Sequence, residues 1–213
     1  EFSLGNSDEE LPGLFQAQRD QAAGRFVGAH LYATGPIIPI HRDLKSPAEV
    51  KPFFDYLQQH GLRFAKVYNE IRQPIFDAVV KEAHARNLGV FGHIPRQFPV
   101  DYTLSHGLDV VAHMEEFFFA LFNDEVTDSA LPTLSPEWTP DYKLGDHALD
   151  VAAANHVAII PNLVASYNFR ALWADEDALM TLPDAKHMDS DVIPAWRKYN
   201  YSHRNLPEKR ELR

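Results

Sequence analysis

Apolar residues in this chain fall into short runs separated by longer stretches of helical periodicity. Residues 26–32, 64–68, 90–94, 109–113 and 157–163 read as five strands. The last contains Val157-Ala158-Ile159-Ile160-Pro161, apolar almost without a break, as a parallel strand covered on both faces should be. Residues 47–60 predict a helix that ends at Gly61, where glycine takes a left-handed cap at little cost. The clearest helix begins near Pro74, with Ile71, Ile75, Val79, Val80 and Ala83 recurring at three- and four-residue intervals before Asn87-Leu88-Gly89. Residues 100–106 and 146–155 predict two more. This alternation is that of an α/β fold with a mainly parallel sheet, and a barrel or a doubly wound sheet fits it equally. Residues 114–145 and 164–213 are longer and less regular, carrying Phe117-Phe118-Phe119 and the acidic run Asp175-Glu176-Asp177. Extended segments after strands are where lids and substrate loops sit. The first thirteen residues are polar with no strand-like run, and the chain opens on Glu1 rather than Met, which leaves room for a segment upstream.

Composition narrows the classes of function. At 213 residues the chain is long enough for one domain with a sizeable core, since folds of this length bury about 70% of the unfolded surface. A hydrophobic fraction of 45% argues against disorder as a description of the whole. The formal charge of -10 disfavours nucleic acid as a partner, because affinity for a polyanion comes from Lys and Arg. No apolar run approaches the roughly 20 residues of a membrane span, so the expectation is a soluble chain, cytoplasmic or exported, with no membrane partner. There is no cysteine, hence neither a disulfide framework nor a thiolate metal site. Any metal must be held by His, carboxylate or a modified Lys, and eleven histidines make that feasible.

Three residues stand at equivalent places in successive strands: Lys66 in Phe-Ala-Lys-Val-Tyr, His93 in Phe-Gly-His-Ile-Pro, and His113 in Val-Ala-His-Met-Glu-Glu. Their separations, 93 - 66 = 27 and 113 - 93 = 20 residues, match what a strand, a helix and two turns consume in a parallel barrel. Barrel chemistry sits at the C-terminal ends of strands, so all three would face one mouth. A lysine in an apolar strand must bear a desolvation cost or have its charge changed. Carbamylation by carbon dioxide does the latter, giving a carboxylate that can bridge two cations while histidines complete the coordination. Imidazole and oxygen donors suit a divalent metal such as zinc, one or two ions, with manganese, iron and nickel left open by residue type. Taken singly, each His reads more readily as a hydrogen-bonded structural residue than as a ligand, and Lys66 more readily still as a solvent-facing one. Glu115 and Glu116 read as loop carboxylates.

The strings Phe64-Ala65-Lys66-Val67-Tyr68, Ala83 through Gly92-His93-Ile94-Pro95, and Gly107-Leu108-Asp109-Val110-Val111-Ala112-His113 resemble the amidohydrolase superfamily, in its imidazolonepropionase and prolidase-like branch. That branch reads Lys-Val-Tyr, Gly-His-Val-Pro and Gly-x-x-x-Ile-Glu-His in the same order. The stretch from Gly24 to Pro36 looks like the entry to its third barrel strand. The likeness spans residues 11–165, with 13–165 its best-matched core and 166–213 a loop or helical region after strand seven. The resemblance implies a partial (β/α)8 TIM-type barrel with strands three to seven present. In it Lys66, His93 and His113 are metal ligands ending strands four, five and six. It implies hydrolysis of an amide, peptide or cyclic amide C–N bond in a small-molecule or short-peptide substrate by a metal-activated water. Tyr68 and Arg96, beside the ligands, are candidate substrate contacts, against bland readings as a packing residue and a solvated loop charge.

The sequence also departs from the family. It contains no His-x-His, the family's strand-one pair, and no convincing strand-eight Asp, so the catalytic residue is not identified; Asp184, Asp189 and Asp191 follow the fifth visible strand too soon. Five strands do not close a barrel, whose strand number, tilt and shear are linked. The chain is therefore expected to be an incomplete part of the active enzyme, completed by further sequence, a homo-oligomer or a complementing chain. The competing reading is a non-catalytic barrel piece acting as a scaffold or binding module. A sugar- or phosphate-processing barrel ranks last, since neither a glycine-rich phosphate loop nor paired strand-end carboxylates are apparent.

Overall fold

The computed structural model describes residues 2–3, 5–25, 27–121, 140–163, 181 and 183–187. The chain divides into two units, Glu1–Pro161 and Asn162–Arg213. The sheet lies in the first, and the described part of the second contains a short 3-10 turn, Pro183–His187. No described helix is long and apolar enough to cross a membrane.

Five parallel strands form the main sheet: β3 (Ile37–Ile38), β4 (Phe64–Val67), β5 (Gly89–Gly92), β6 (Val110–Val111) and β7 (Ala158–Ile159). Each pairs with the next in chain order. A doubly wound sheet reverses its strand order at a switch point, whereas a barrel adds every strand on the same side. The uninterrupted order therefore decides for an arc of a TIM-type barrel. Helices α2 (Val50–Gln59), α3 (Gln73–Ala85), α4 (Val100–Ser105) and α6 (Tyr142–Ala154) occupy the crossovers, and α5 (Glu116–Ala120) follows β6.

Side-chain alternation along the strands divides two environments. Ala65, Val67, Val90 and Val111 join the core that the helices cover, with Phe53, Phe54 and Leu57 of α2 and Ile75, Phe76, Val79, Val80 and Ala83 of α3. Burying five such side chains, at about 1.5–3 kcal/mol each for the larger ones, outweighs what a 13-residue helix gains alone in water. The intervening residues, Lys66 and Phe91, lie opposite one another in register and stand on the other face.

Four features differ from the pattern-based reading. Residues 27–31 form no strand, Phe26 lies outside the described residues, and the barrel strand comes after Gly35-Pro36, at Ile37–Ile38. Apolar content misled here, because Val27 is almost fully exposed and Tyr32 more than half exposed. The polar start of the chain holds a strand, β1 (Phe2–Ser3), paired in parallel with β2 (Tyr32–Ala33). Its pairing is backed by side-chain bonds that no periodicity reveals: Gly5 N–H donates to Thr34 Oγ1 at 3.0 Å and Asn6 Nδ2 to Thr34 O at 3.1 Å. Helix α1 (Leu11–Ala22) also escapes a periodicity search, since only Leu11 of its residues is buried. Helix α6 starts four residues ahead of the expected 146, at a cap where Asp141 accepts the Lys143 N–H at 2.9 Å.

Candidate functional site

The tips of β4, β5 and β6 bring the sequence-selected residues together. Lys66 stands in register with Ile37 and Phe91, and its ammonium lies 5.0 Å from the Phe91 ring centroid. It is 3% exposed. His93 follows β5 by one residue, its N–H bonded to Val67 O at 3.2 Å. His113 comes two residues after β6, past a bend at Ala112. The two imidazole centroids are 4.8 Å apart, and Tyr68, one residue past β4, packs its ring edge-on against His93 at 4.3 Å. Gly92 permits this approach. A Cβ there would lie 2.1 Å from Val67 O, so any side chain would push β5, and His93 with it, away from β4.

Glu116, read from the sequence as a loop carboxylate, is the hub of the site. It opens α5, is 2% exposed, and bonds three partners. Oε1 meets His93 Nδ1 at 2.5 Å, while Oε2 accepts the Ile94 N–H at 2.9 Å and Arg96 Nη1 at 2.8 Å. Burial raises the carboxyl's pKa, but the bond from His93 and the charge of Arg96 outweigh it and hold the group below its ordinary value. The signal was present in the sequence: an acidic residue in a first helical turn directly before an apolar run. The partner was not, because it lies 23 residues away. Glu115 is exposed.

Arg96 is not a solvated loop charge either. Its side chain is 11% exposed, and Nη1 also donates to Ile94 O at 2.5 Å. Its backbone N–H bonds Asn69 O at 2.9 Å, which ties the loop after β5 to the loop after β4. Tyr68 is half-buried against His93.

Burial shifts Lys66 and His113 toward their neutral forms. Burial lowers the Lys66 pKa to about 8, with Glu116 pulling the other way. Burial, then the neighbouring His93, lowers that of His113. Neutral amine and neutral imidazole are the forms that react with carbon dioxide and ligate metals. With Nδ1 of His93 committed to Glu116, Nε2 is the nitrogen that faces a ligand, in the carboxylate–histidine arrangement that orients metal-binding imidazoles. Among the described residues no group of three His, Cys, Asp or Glu side chains could hold a metal ion. Lys66, close enough to His113 to act on its charge, is a further candidate donor beside the two imidazoles. Asp189 and Asp191 lie outside the described residues, as does the side chain of Asp184.

No family model and no curated protein matches the chain. Among solved structures, bottromycin amidohydrolase matches with a TM-score of 0.59 at 20% identity over 92% of this chain and 42% of that one. A Xaa-Pro dipeptidase with methionine bound in its active site matches at a TM-score of 0.45 and 15% identity, over 74% of this chain and 52% of that one. The chain thus spans less than half the length of the first of these and about half of the second. In fold, the chain is a partial TIM-type barrel that shares its architecture with bottromycin amidohydrolase.

Proposed function

We propose that this chain forms part of a metal-dependent amidohydrolase that cleaves an amide, peptide or cyclic amide C–N bond. The observation that carries the reading is the pairing of His93 and His113, 4.8 Å apart at neighbouring strand tips, beside a buried lysine with a depressed pKa. Lys66, as its carbamate, and the two imidazoles would hold one or two divalent ions, zinc by donor type. Such an ion, when bound, polarises a carbonyl and lowers the pKa of a water towards ~7. The chain's own residues do the rest. Glu116 fixes the His93 tautomer by accepting from Nδ1, Arg96 holds Glu116 ionised, and Tyr68 walls the mouth next to His93, where a substrate would pass. The remaining strands and the proton-transferring group are assigned to sequence or chains outside this one.

Metal analysis of the purified protein, with Lys66→Ala and His113→Ala beside it, tests the reading. Bound metal should fall in both variants, and 13C-labelled bicarbonate should give a carbamate signal that Lys66→Ala abolishes. Metal content unchanged in both variants removes the basis of the proposal. A scaffold or binding module is the second reading, favoured by the absence of any His-x-His; hydrolase turnover by this chain would exclude it.

A further inference from the structure

Beside the strand-tip site, a second hollow of about 330 Å3 opens among the loops after β3, β4 and β5. Its floor is aliphatic, with Ile38, Leu44, Ile71 and Ile75 each buried. All four belong to the core on the helix side of the sheet, so the hollow is separate from the face that carries Lys66. Ile40, 53% exposed, forms part of its open wall.

The rim carries opposite charges whose partners differ in kind. The Glu70 carboxylate is exposed and makes no hydrogen bond or ion pair among the described residues. Arg72 bonds only main-chain carbonyls there, Nη2 donating to Leu44 O at 2.9 Å and Lys45 O at 3.1 Å, so no carboxylate neutralises its charge. The third charged residue, Asp43, is already ion-paired with Lys45. Gln97 donates from Nε2 to Glu70 O at 3.1 Å, and its side-chain oxygen accepts no hydrogen bond among the described residues.

An aliphatic floor beneath one bare carboxylate and one guanidinium is complementary to a zwitterion with a hydrocarbon branch. The volume is that of a small-molecule site, and a mainly apolar hollow with a few placed polar groups is the usual form of one. We propose that this hollow binds a free amino acid with a branched aliphatic side chain. Its ammonium lies at Glu70 and the Gln97 carbonyl, its carboxylate at Arg72, and its side chain on Ile38, Ile71 and Ile75. Occupancy bears on the first site, because Glu70 and Gln97 belong to the loops that hold Tyr68, His93 and Arg96, joined by the Arg96–Asn69 and Gln97–Glu70 bonds.

Calorimetric titration of the chain with L-leucine tests the assignment. Saturable binding is expected, about tenfold or more tighter than for glycine, 3-methylbutylamine or 4-methylpentanoate, each of which lacks one matched group. Glu70→Gln should weaken leucine by about tenfold, and Ile40→Asp, at an exposed position that leaves the thermal melt unchanged, should do the same. Lys66→Ala should bind leucine like the parent, so failure of the metal reading and failure of this one are told apart. Absence of saturable leucine binding at millimolar concentration, glycine binding equally well, or indifference to Glu70→Gln would each overturn it.

Discussion

Replacing Glu116 by alanine is the most informative perturbation of this fold. The carboxylate is 2% exposed and satisfies the His93 ring, the Ile94 N–H and the Arg96 guanidinium. Truncation removes the Glu116 counter-ion from an arginine whose side chain is 11% exposed, and removing one partner of a buried ion pair costs about 3–5 kcal/mol. The orphaned Ile94 N–H would add about 1 kcal/mol or more, less whatever an entering water restores. A loss of about 4 kcal/mol is therefore expected. With a urea dependence near 3 kcal/mol per molar, the unfolding midpoint should drop by more than about 1 M. Part of the loss belongs to the pair with His93, so Glu116→Ala and His93→Ala should be non-additive by about 1 kcal/mol or more in a double-mutant cycle. A single-variant loss under about 1 kcal/mol, with additive behaviour, would show that the carboxylate is not the hub described above. In that case the orientation of His93 would need another cause.

Three further outcomes follow from the geometry. Gly92→Ala should destabilise by about 2 kcal/mol or more, as overpacking against main chain does, and should weaken metal uptake through the displaced His93; unchanged urea midpoint and metal content would contradict the close approach to Val67. In metal-free, uncarbamylated protein Lys66 should make stability rise with pH: its folded pKa is about 8 against an ordinary 10.5, so between those values the unfolded chain holds the extra proton. The difference, 10.5 - 8 = 2.5 units, corresponds to about 3 kcal/mol, and Lys66→Met should be more stable than the parent at pH 7, with the gap closing by pH 10; a constant gap refutes it. Acidification should act in the same direction through Glu116 at lower pH, since its lowered pKa means that its stabilisation is present above the ordinary carboxylate value and lost as pH falls through the folded one. The acid limb of a urea-midpoint profile should therefore be shallower in Glu116→Gln.

Strand identity was legible wherever apolar runs coincide with two-sided burial. Residues 64–68 and 90–94 read as strands for that reason, and the strands lie at Phe64–Val67 and Gly89–Gly92. Phe2–Ser3 did not, because two residues carry no period and its support comes from Thr34, far along the chain. The spacing of Lys66, His93 and His113 was legible because a βα unit has a nearly fixed length. Glu116 was misread for the converse reason: a carboxylate's environment depends on a three-dimensional neighbour, and its place directly before an apolar run, though it sets Glu116 apart from the exposed Glu115, does not name that neighbour. Pattern alone left barrel and doubly wound sheet equal, since both alternate strand and helix, and only the order of pairing separates them.

That order bears on how the chain is made. Ile37 pairs with Lys66, Lys66 with Phe91, and Phe91 with Val110, intervals of 29, 25 and 19 residues. Only the last pairing, Val110 with Ala158, waits for 48. Each new strand thus finds its docking edge already laid down by the residues just translated, and the sheet can grow by accretion as the polypeptide leaves the ribosome. Once residue 113 has cleared the ribosome, the nascent intermediate should already hold His93 beside its lysine but await the carboxylate at 116 to lock the ring.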